Sequence, residues 1–188
     1  IPENIKIRYI VDDFLLHSFE EMYDYVIGNL PFFKMKSSDK LLSKYKEAAI
    51  NKETTNICSF FLDKAELIGN YVMLVFPKFL LNTPEFEETR TYISKKAVEC
   101  IIDFGEKGFP GVLIETIAIF INNMAKPNKT RVFSYPRQIR LLQKQKYILD
   151  NKLPYWIIYR NEKFDEELKK LKFDVFTVFR DRQIKNRV

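Results

Sequence analysis

Residues 112–121 read Val-Leu-Ile-Glu-Thr-Ile-Ala-Ile-Phe-Ile, and the fold turns on whether that run is a strand or a helix. Its β-branched density suits a strand buried on both faces. The spacing Leu113, Ile117, Phe120/Ile121, Met124 suits one face of a helix, and Pro110-Gly111 would open it. Because the pattern reaches Met124, the reading tips towards helix.

Working upstream, the same logic gives more helices. Glu87, Glu88 and Glu85 follow Thr83-Pro84, which is a helix start with acids where the dipole favours them. Phe86, Ile93, Ala97, Cys100, Ile101 and Phe104 supply its apolar stripe, and Gly105 ends it. Residues 55–76 predict a longer apolar helix, weakened at Gly69 and broken at Pro77. Asp39 caps a short helix through about Ile50. Phe14, Leu15, Phe19, Met22, Val26 and Ile27 fall on one helical stripe after Asp12 or Asp13, stopped by Gly28-Asn29 and Pro31. Only Ile5, Ile7 and Tyr9 alternate as a short strand would.

Downstream of a polar linker at 125–129 the texture changes. Strands are predicted at 130–135, 154–159 and 174–179, with a basic helix at 137–151 and an amphipathic helix at 162–171. The order β-α-β-α-β implies parallel strands joined by crossover helices. The expected fold is therefore α+β. A helical N-terminal two-thirds, residues 1–125, packs as one compact unit on a small, mainly parallel C-terminal sheet within residues 126–188.

Charge divides at the same place. From Lys126 to Val188 there are 17 basic and 7 acidic residues, whereas the preceding residues hold 14 and 18. A basic back half points to an anionic partner. Arg137, Arg140 and Lys144 share one face of the predicted basic helix, with Lys146 beside them, and Arg180, Arg182, Lys185 and Arg187 form a basic tail. Phosphate contact through these cations predicts a nucleic-acid-associated domain, with DNA and RNA both open. Tyr135, Tyr155, Trp156 and Tyr159 are candidates for base stacking, set against packing in the core. The rival reading is a protein-interaction module that docks a partner on its apolar helices.

Several chemistries are poorly served. His17 stands alone, and Cys58 and Cys100 form no CxxC, so no set of four zinc ligands is available. Gly105, Gly108 and Gly111 lack the following Lys-Ser/Thr of a phosphate loop. No apolar run reaches the ~20 residues of a membrane span, and no basic-then-apolar leader opens the sequence. Two unpaired cysteines fit a reducing compartment, so cytoplasm or nucleus is expected.

Asp103 and Glu115 flank the glycine turn and would converge if both segments were strands. Gln143 and Tyr147 follow, four apart. In this order the elements resemble the restriction-endonuclease-like nuclease superfamily, which pairs an Asp with a Glu-x-Lys and in some branches adds a Gln-x-x-x-Tyr helix. The resemblance implies a metal-dependent nuclease in which Asp103 and Glu115 hold Mg²⁺ or Mn²⁺. Ile117 stands at the Lys position, so such a nuclease would lack its usual charge stabiliser or recruit Lys144 or Lys146 from the predicted basic helix.

Overall fold

A computed structural model of the chain describes residues 4–109, 111, 114–153 and 155–170. Its centre is a six-stranded mixed sheet. In chain order the elements are β1 (Tyr23–Asn29), α1 (Lys40–Glu47), α2 (Ile57–Ile68), β2 (Gly69–Pro77), α3 (Glu87–Ser94), β3 (Ala97–Gly105), β4 (Thr116–Asn122), β5 (Lys129–Ser134), β6 (Ile139–Lys144), α4 (Gln145–Ile148) and α5 (Glu162–Lys170). The spatial order is β1-β2-β4-β3-β5-β6. β1 runs parallel to β2, and β3 runs parallel to β5. β4 lies antiparallel between β2 and β3, and β6 closes the far edge antiparallel to β5. Four strands, β1, β2, β3 and β5, therefore point the same way.

This overturns the expectation of helices over the first two-thirds with a small sheet at the end. Each long predicted helix divides. α2 stops at Ile68, and the chain turns at Gly69 directly into β2. A Cβ at Gly69 would stand 2.7 Å from Val26 Cγ2, so the glycine lets the helix end lie against β1. The 84–104 segment begins with a 3-10 turn (Pro84–Phe86), continues as α3 and crosses into β3. Residues 116–122 are the central strand β4, not a helix. Ile117, Ile119 and Ile121 are buried on one face and Ala118 on the other, which is why the run lacks polar alternation.

At the front, Asp13 holds a tight turn. Its carboxylate accepts from Leu15 N–H at 2.9 Å and from Tyr45 O–H at 2.6 Å. The supposed helical stripe ends there, and Tyr23-Asp24-Tyr25-Val26-Ile27 extends into β1 as its aromatic and β-branched residues favour. At the back, the predicted basic helix is the strand β6 followed by the single turn α4. Residues 155–159 form turns in place of a strand, with Trp156 N–H bonded to Leu81 O at 2.9 Å. The expected strand at 174–179 lies outside the described residues. Three expectations agree with the structure: Asp39 caps α1 through Leu41 N–H, and β5 and α5 stand where predicted.

The core lies on one face of the sheet. Val72, Leu74, Phe76, Ile117, Ile119, Ile121, Val98, Ile101 and Val132 pack there with Cys58, Leu62 and Ala65 of α2 and with Ile93 of α3. The opposite face carries Tyr25, Ile27, Tyr71, Met73 and Phe120, none of them buried.

Candidate active site at the carboxyl ends of the strands

Because β1, β2, β3 and β5 share a direction, their carboxyl ends form one rim. In open α/β sheets that rim is where ligands bind. Here it carries Asn29, Pro77-Lys78, Gly105 and Ser134, with Thr116 at the amino end of β4.

At the β1 end, Asn29 is exposed and is followed by Leu30-Pro31-Phe32-Phe33. Its side-chain amide has no hydrogen-bond partner among the described residues. Phe32 is half-buried against the core and meets the Phe109 ring edge-on at 6.4 Å. Phe33 is 51% exposed. The backbone that carries these residues is pinned. Ile57 N–H donates to Phe33 O at 3.1 Å, and Met35 N–H donates to Thr55 O at 2.9 Å. Lys34 pairs with Glu85. Asn51 ties the region together, donating to Glu85 O at 2.8 Å and to Thr89 Oγ1 at 2.9 Å. An unpaired amide at Asn29 and an exposed ring at Phe33, four residues on along a fixed loop, supply the polar and stacking parts that a binding constellation needs.

The sequence-predicted carboxylates do meet, but around a lysine. Asp103 Oδ2 lies 3.2 Å from Lys78 Nζ and accepts from Tyr159 O–H at 2.6 Å. Asp103 Oδ1 accepts from Gly105 N–H at 2.9 Å. Glu115 reaches the same Lys78 Nζ at 3.4 Å. Burial, together with the Asp103 carboxylate, pushes the Tyr159 hydroxyl up to about 12, so it remains a donor. The chain's own cation thus sits between the two carboxylates and offsets one of their two charges. Among the described residues, no group of three or more His, Cys, Asp or Glu could hold a metal ion. Lys144, the proposed stabiliser, sits at the other end of β6, roughly 17 Å along the strand from the rim. Gln143 belongs to β6 and Tyr147 to α4, so no helix presents both on one face. The metal-dependent nuclease expectation fails on these placements.

The predicted cations are partly gathered. Arg140 and Lys144 stand exposed on one face of β6, paired across the hairpin with Phe133 and Lys129. Arg131, exposed on the same face of β5, pairs with Leu142. Arg137 lies in the β5–β6 turn, 6.0 Å over the Tyr159 ring. Lys146 is on α4 at the opposite end, 5.2 Å over the Tyr147 ring. None of these forms an ion pair among the described residues, apart from their ring contacts. Arg180, Arg182, Lys185 and Arg187 lie outside the described residues. Trp156 is buried, with Nε1 donating to Asn151 Oδ1 at 3.3 Å, and is a core residue.

A sequence profile of the Eco57I restriction-modification methylase family matches residues 4–109, more than half of the chain and the part that contains Asn29. The chain belongs to that family. That membership overturns the generic nucleic-acid-binding and nuclease readings. Solved structures agree on the fold. A protein described as a class I S-adenosylmethionine-dependent methyltransferase of Listeria monocytogenes superposes with a TM-score of 0.53 at 16% identity over 64% of this chain. The type IIG restriction endonuclease BpuSI gives 0.57 at 12% over 71%, and a type I restriction-modification methyltransferase subunit of Streptococcus thermophilus gives 0.52 at 15% over 84%. The chain spans only 39%, 20% and 34% of those proteins' own lengths. No curated protein sequence matches it.

Membership in the methylase family also overturns the expectation of Mg²⁺ or Mn²⁺ as cofactor, which rested on the nuclease reading. No helix among the described residues is long and apolar enough to cross a membrane. The site that sequence reading missed is Asn29 to Phe33. There Gly28-Asn29 and Pro31 read as a helix stop. The available signal was the aromatic and β-branched density of residues 23–27, which marks a strand ending at Asn29.

Proposed function

We propose that this chain carries the target-base site of a DNA methyltransferase that modifies an exocyclic amino group, with adenine the preferred base. The observation that carries the reading is the unpartnered Asn29 amide at the carboxyl end of β1, on the loop that also carries exposed Phe33, in a chain of the Eco57I methylase family. Enzymes that act on a base extrude it from the duplex, then hold its polar edge by hydrogen bonds and its faces by aromatic rings. An asparagine amide complements adenine, which offers an amino donor beside a ring-nitrogen acceptor. Accepting from the amino group, the Asn29 side-chain oxygen orients the nitrogen and draws on its N–H bond. Phe33 offers the stacking face, and Phe109 holds Phe32 behind it.

Carbon methylation through a covalent cysteine adduct is disfavoured. Cys100 lies in the middle of β3, away from the rim, and Cys58 is buried at the start of α2, where burial pushes its thiol up to about 12. Arg137, Arg140 and Lys144 are proposed to contact the DNA backbone.

S-adenosylmethionine supplies a methyl group when bound, but the described residues do not fit it. A cradle for such a ligand needs backbone that can be approached closely and a free acid for the ribose hydroxyls. A Cβ at Gly105 would stand 2.9 Å from Pro136 Cγ, and one at Gly108 would stand 2.2 Å from Thr116 Oγ1. Both glycines are therefore used in packing the turn. The rim's buried acid, Asp103, is already held by Lys78, Tyr159 and Gly105.

The test uses a single-stranded oligonucleotide with 2-aminopurine at one position, whose fluorescence is quenched on stacking. The chain should quench it, and Asn29→Ala and Phe33→Ala should each weaken binding about tenfold or more. Equal quenching by both variants would dismiss the site.

A further inference from the structure

A cationic groove lies at the end of the sheet opposite the rim, where β3 and β5 begin and β6 ends. It consists of two adjoining hollows, of about 330 and 310 Å³, that share Asn128, Lys129 and Gln145. Lys126, Lys129 and Arg131 line the first, and Lys129, Lys144 and Lys146 line the second. Glu99 is the one carboxylate among the lining residues, and it accepts from Asn122 Nδ2 at 2.5 Å. Lys129 and Lys144 face each other directly across the β5–β6 ladder. Like charges so placed, with Cβ atoms about 5 Å apart, destabilise a hairpin. No carboxylate offsets them here. Among the described residues Lys126, Lys129 and Arg131 form no ion pair, and Lys144 and Lys146 have only the Tyr147 ring, at 6.0 and 5.2 Å.

The floor beneath these side chains is fixed. Gln145 is buried, and its backbone N–H donates to Asn128 O at 2.8 Å. Its Oε1 accepts from Val98 N–H at 2.9 Å, and its Nε2 donates to Ser94 O at 3.1 Å and to Lys96 O at 2.7 Å. Thr130 Oγ1 donates to Val98 O at 2.7 Å. The backbone that carries the cations is thus pre-set, and holding an anion requires ordering of side chains alone.

We propose that this groove holds phosphates of the DNA flank on one side of the target base, and that this flank runs from the rim along β5 and β6. The inference rests on reading Asn29 as the base site and deepens it by giving the bound DNA a direction. The charge does not stop at the groove. It continues up the hairpin through Arg131 and Arg140 to Arg137 in the turn at the rim, which favours a long polyanion over a small one. Strands rise about as much per residue as each DNA strand does per phosphate, so the roughly 17 Å between turn and groove spans about five base pairs.

The test uses the 188-residue chain and duplexes with an unpaired 2-aminopurine, each flank in turn being lengthened from about two to about eight base pairs. Lengthening one flank should tighten binding about tenfold or more, and lengthening the other should change it little. Lys126→Gln, Lys129→Gln and Lys146→Gln combined should lose most of that gain, yet bind the short-flank duplex as the parent does and leave the 2-aminopurine response intact. Equal gain from both flanks, or from neither, would overturn the proposal. So would a triple variant that keeps the full gain, or one weakened equally on short and long duplexes. Tripolyphosphate that abolishes the gain at micromolar concentration and constant ionic strength would also overturn it, by assigning the groove to a small polyphosphate. A parent whose 2-aminopurine never responds, with the one-sided gain kept, would remove the base site alone and leave the groove standing.

Discussion

Asp63 is a carboxylate that the fold has taken out of water. It sits buried on α2, accepting from Ile50 N–H at 2.8 Å, and burial pushes its carboxyl up to about 7 despite that bond. Glu66, one turn on, adds to the rise, and burial raises Glu66 itself in spite of Lys96 at 3.0 Å. The sign follows from linkage. Between the ordinary value near 3.8 and the folded value near 7, the native state holds a proton that the unfolded chain releases. Stability therefore falls as pH rises through that window and levels off above it. The full penalty is on the order of 4 kcal/mol. Asp63→Asn keeps an acceptor for Ile50 and has no charge to bury. Its melting temperature should exceed that of the parent by several degrees at pH 8, with the gap closing towards pH 4. A gap independent of pH, measured by thermal melts across that range, would show that Asp63 is solvated.

Among the elements, the β5–β6 hairpin carries the strongest case for contact with a polyanion. Strand alternation, not helical spacing, is what aligns Arg140 and Lys144, and pairing places Lys129 and Arg131 alongside. Neutralising Arg137, Arg140 and Lys144 together to Gln should flatten the dependence of log affinity on log salt by about 0.9 per lost phosphate contact. Melting should not change, since all three are exposed. An unchanged slope in a fluorescence titration against duplex DNA would place the DNA elsewhere. The same hairpin shows what was legible beforehand. That this stretch is rich in cations was readable from the sequence. That they lie on a strand was not, because Ile139, Leu142 and Ile148 satisfy a helical spacing as well as β6 followed by α4 does. Residues 116–122 pose the same ambiguity more sharply: a strand buried on both faces gives a continuous apolar run with no period to read. Punctuation survived where it was explicit, as at Asp39 and, more weakly, at Gly69, where the helix ends and the sheet begins. Asn29 went unnoticed because an asparagine after a glycine reads as a turn until β1 is known to end there, at the carboxyl rim of the sheet.

At the scale of the whole molecule, the layers are unequal. One face of the sheet holds the core with α2 and α3, and the other carries a row of aromatic and aliphatic side chains in which Tyr25 and Ile27 are exposed and Tyr71, Met73 and Phe120 half-buried. Exposed apolar surface of this kind marks an interface or an aggregation site. If the row is bare in the isolated chain, its side chains add little to folding there. Replacing Tyr25 and Ile27 together by Thr keeps strand propensity while removing apolar area. The double variant should then unfold within about 0.5 kcal/mol of the parent in urea, as surface substitutions do. It should also bind less of a hydrophobic dye and stay monodisperse at higher concentration. A loss of several kcal/mol would mean that the two side chains are already packed within this chain. The open layer would then be a second core, and the sheet would be complete without any partner.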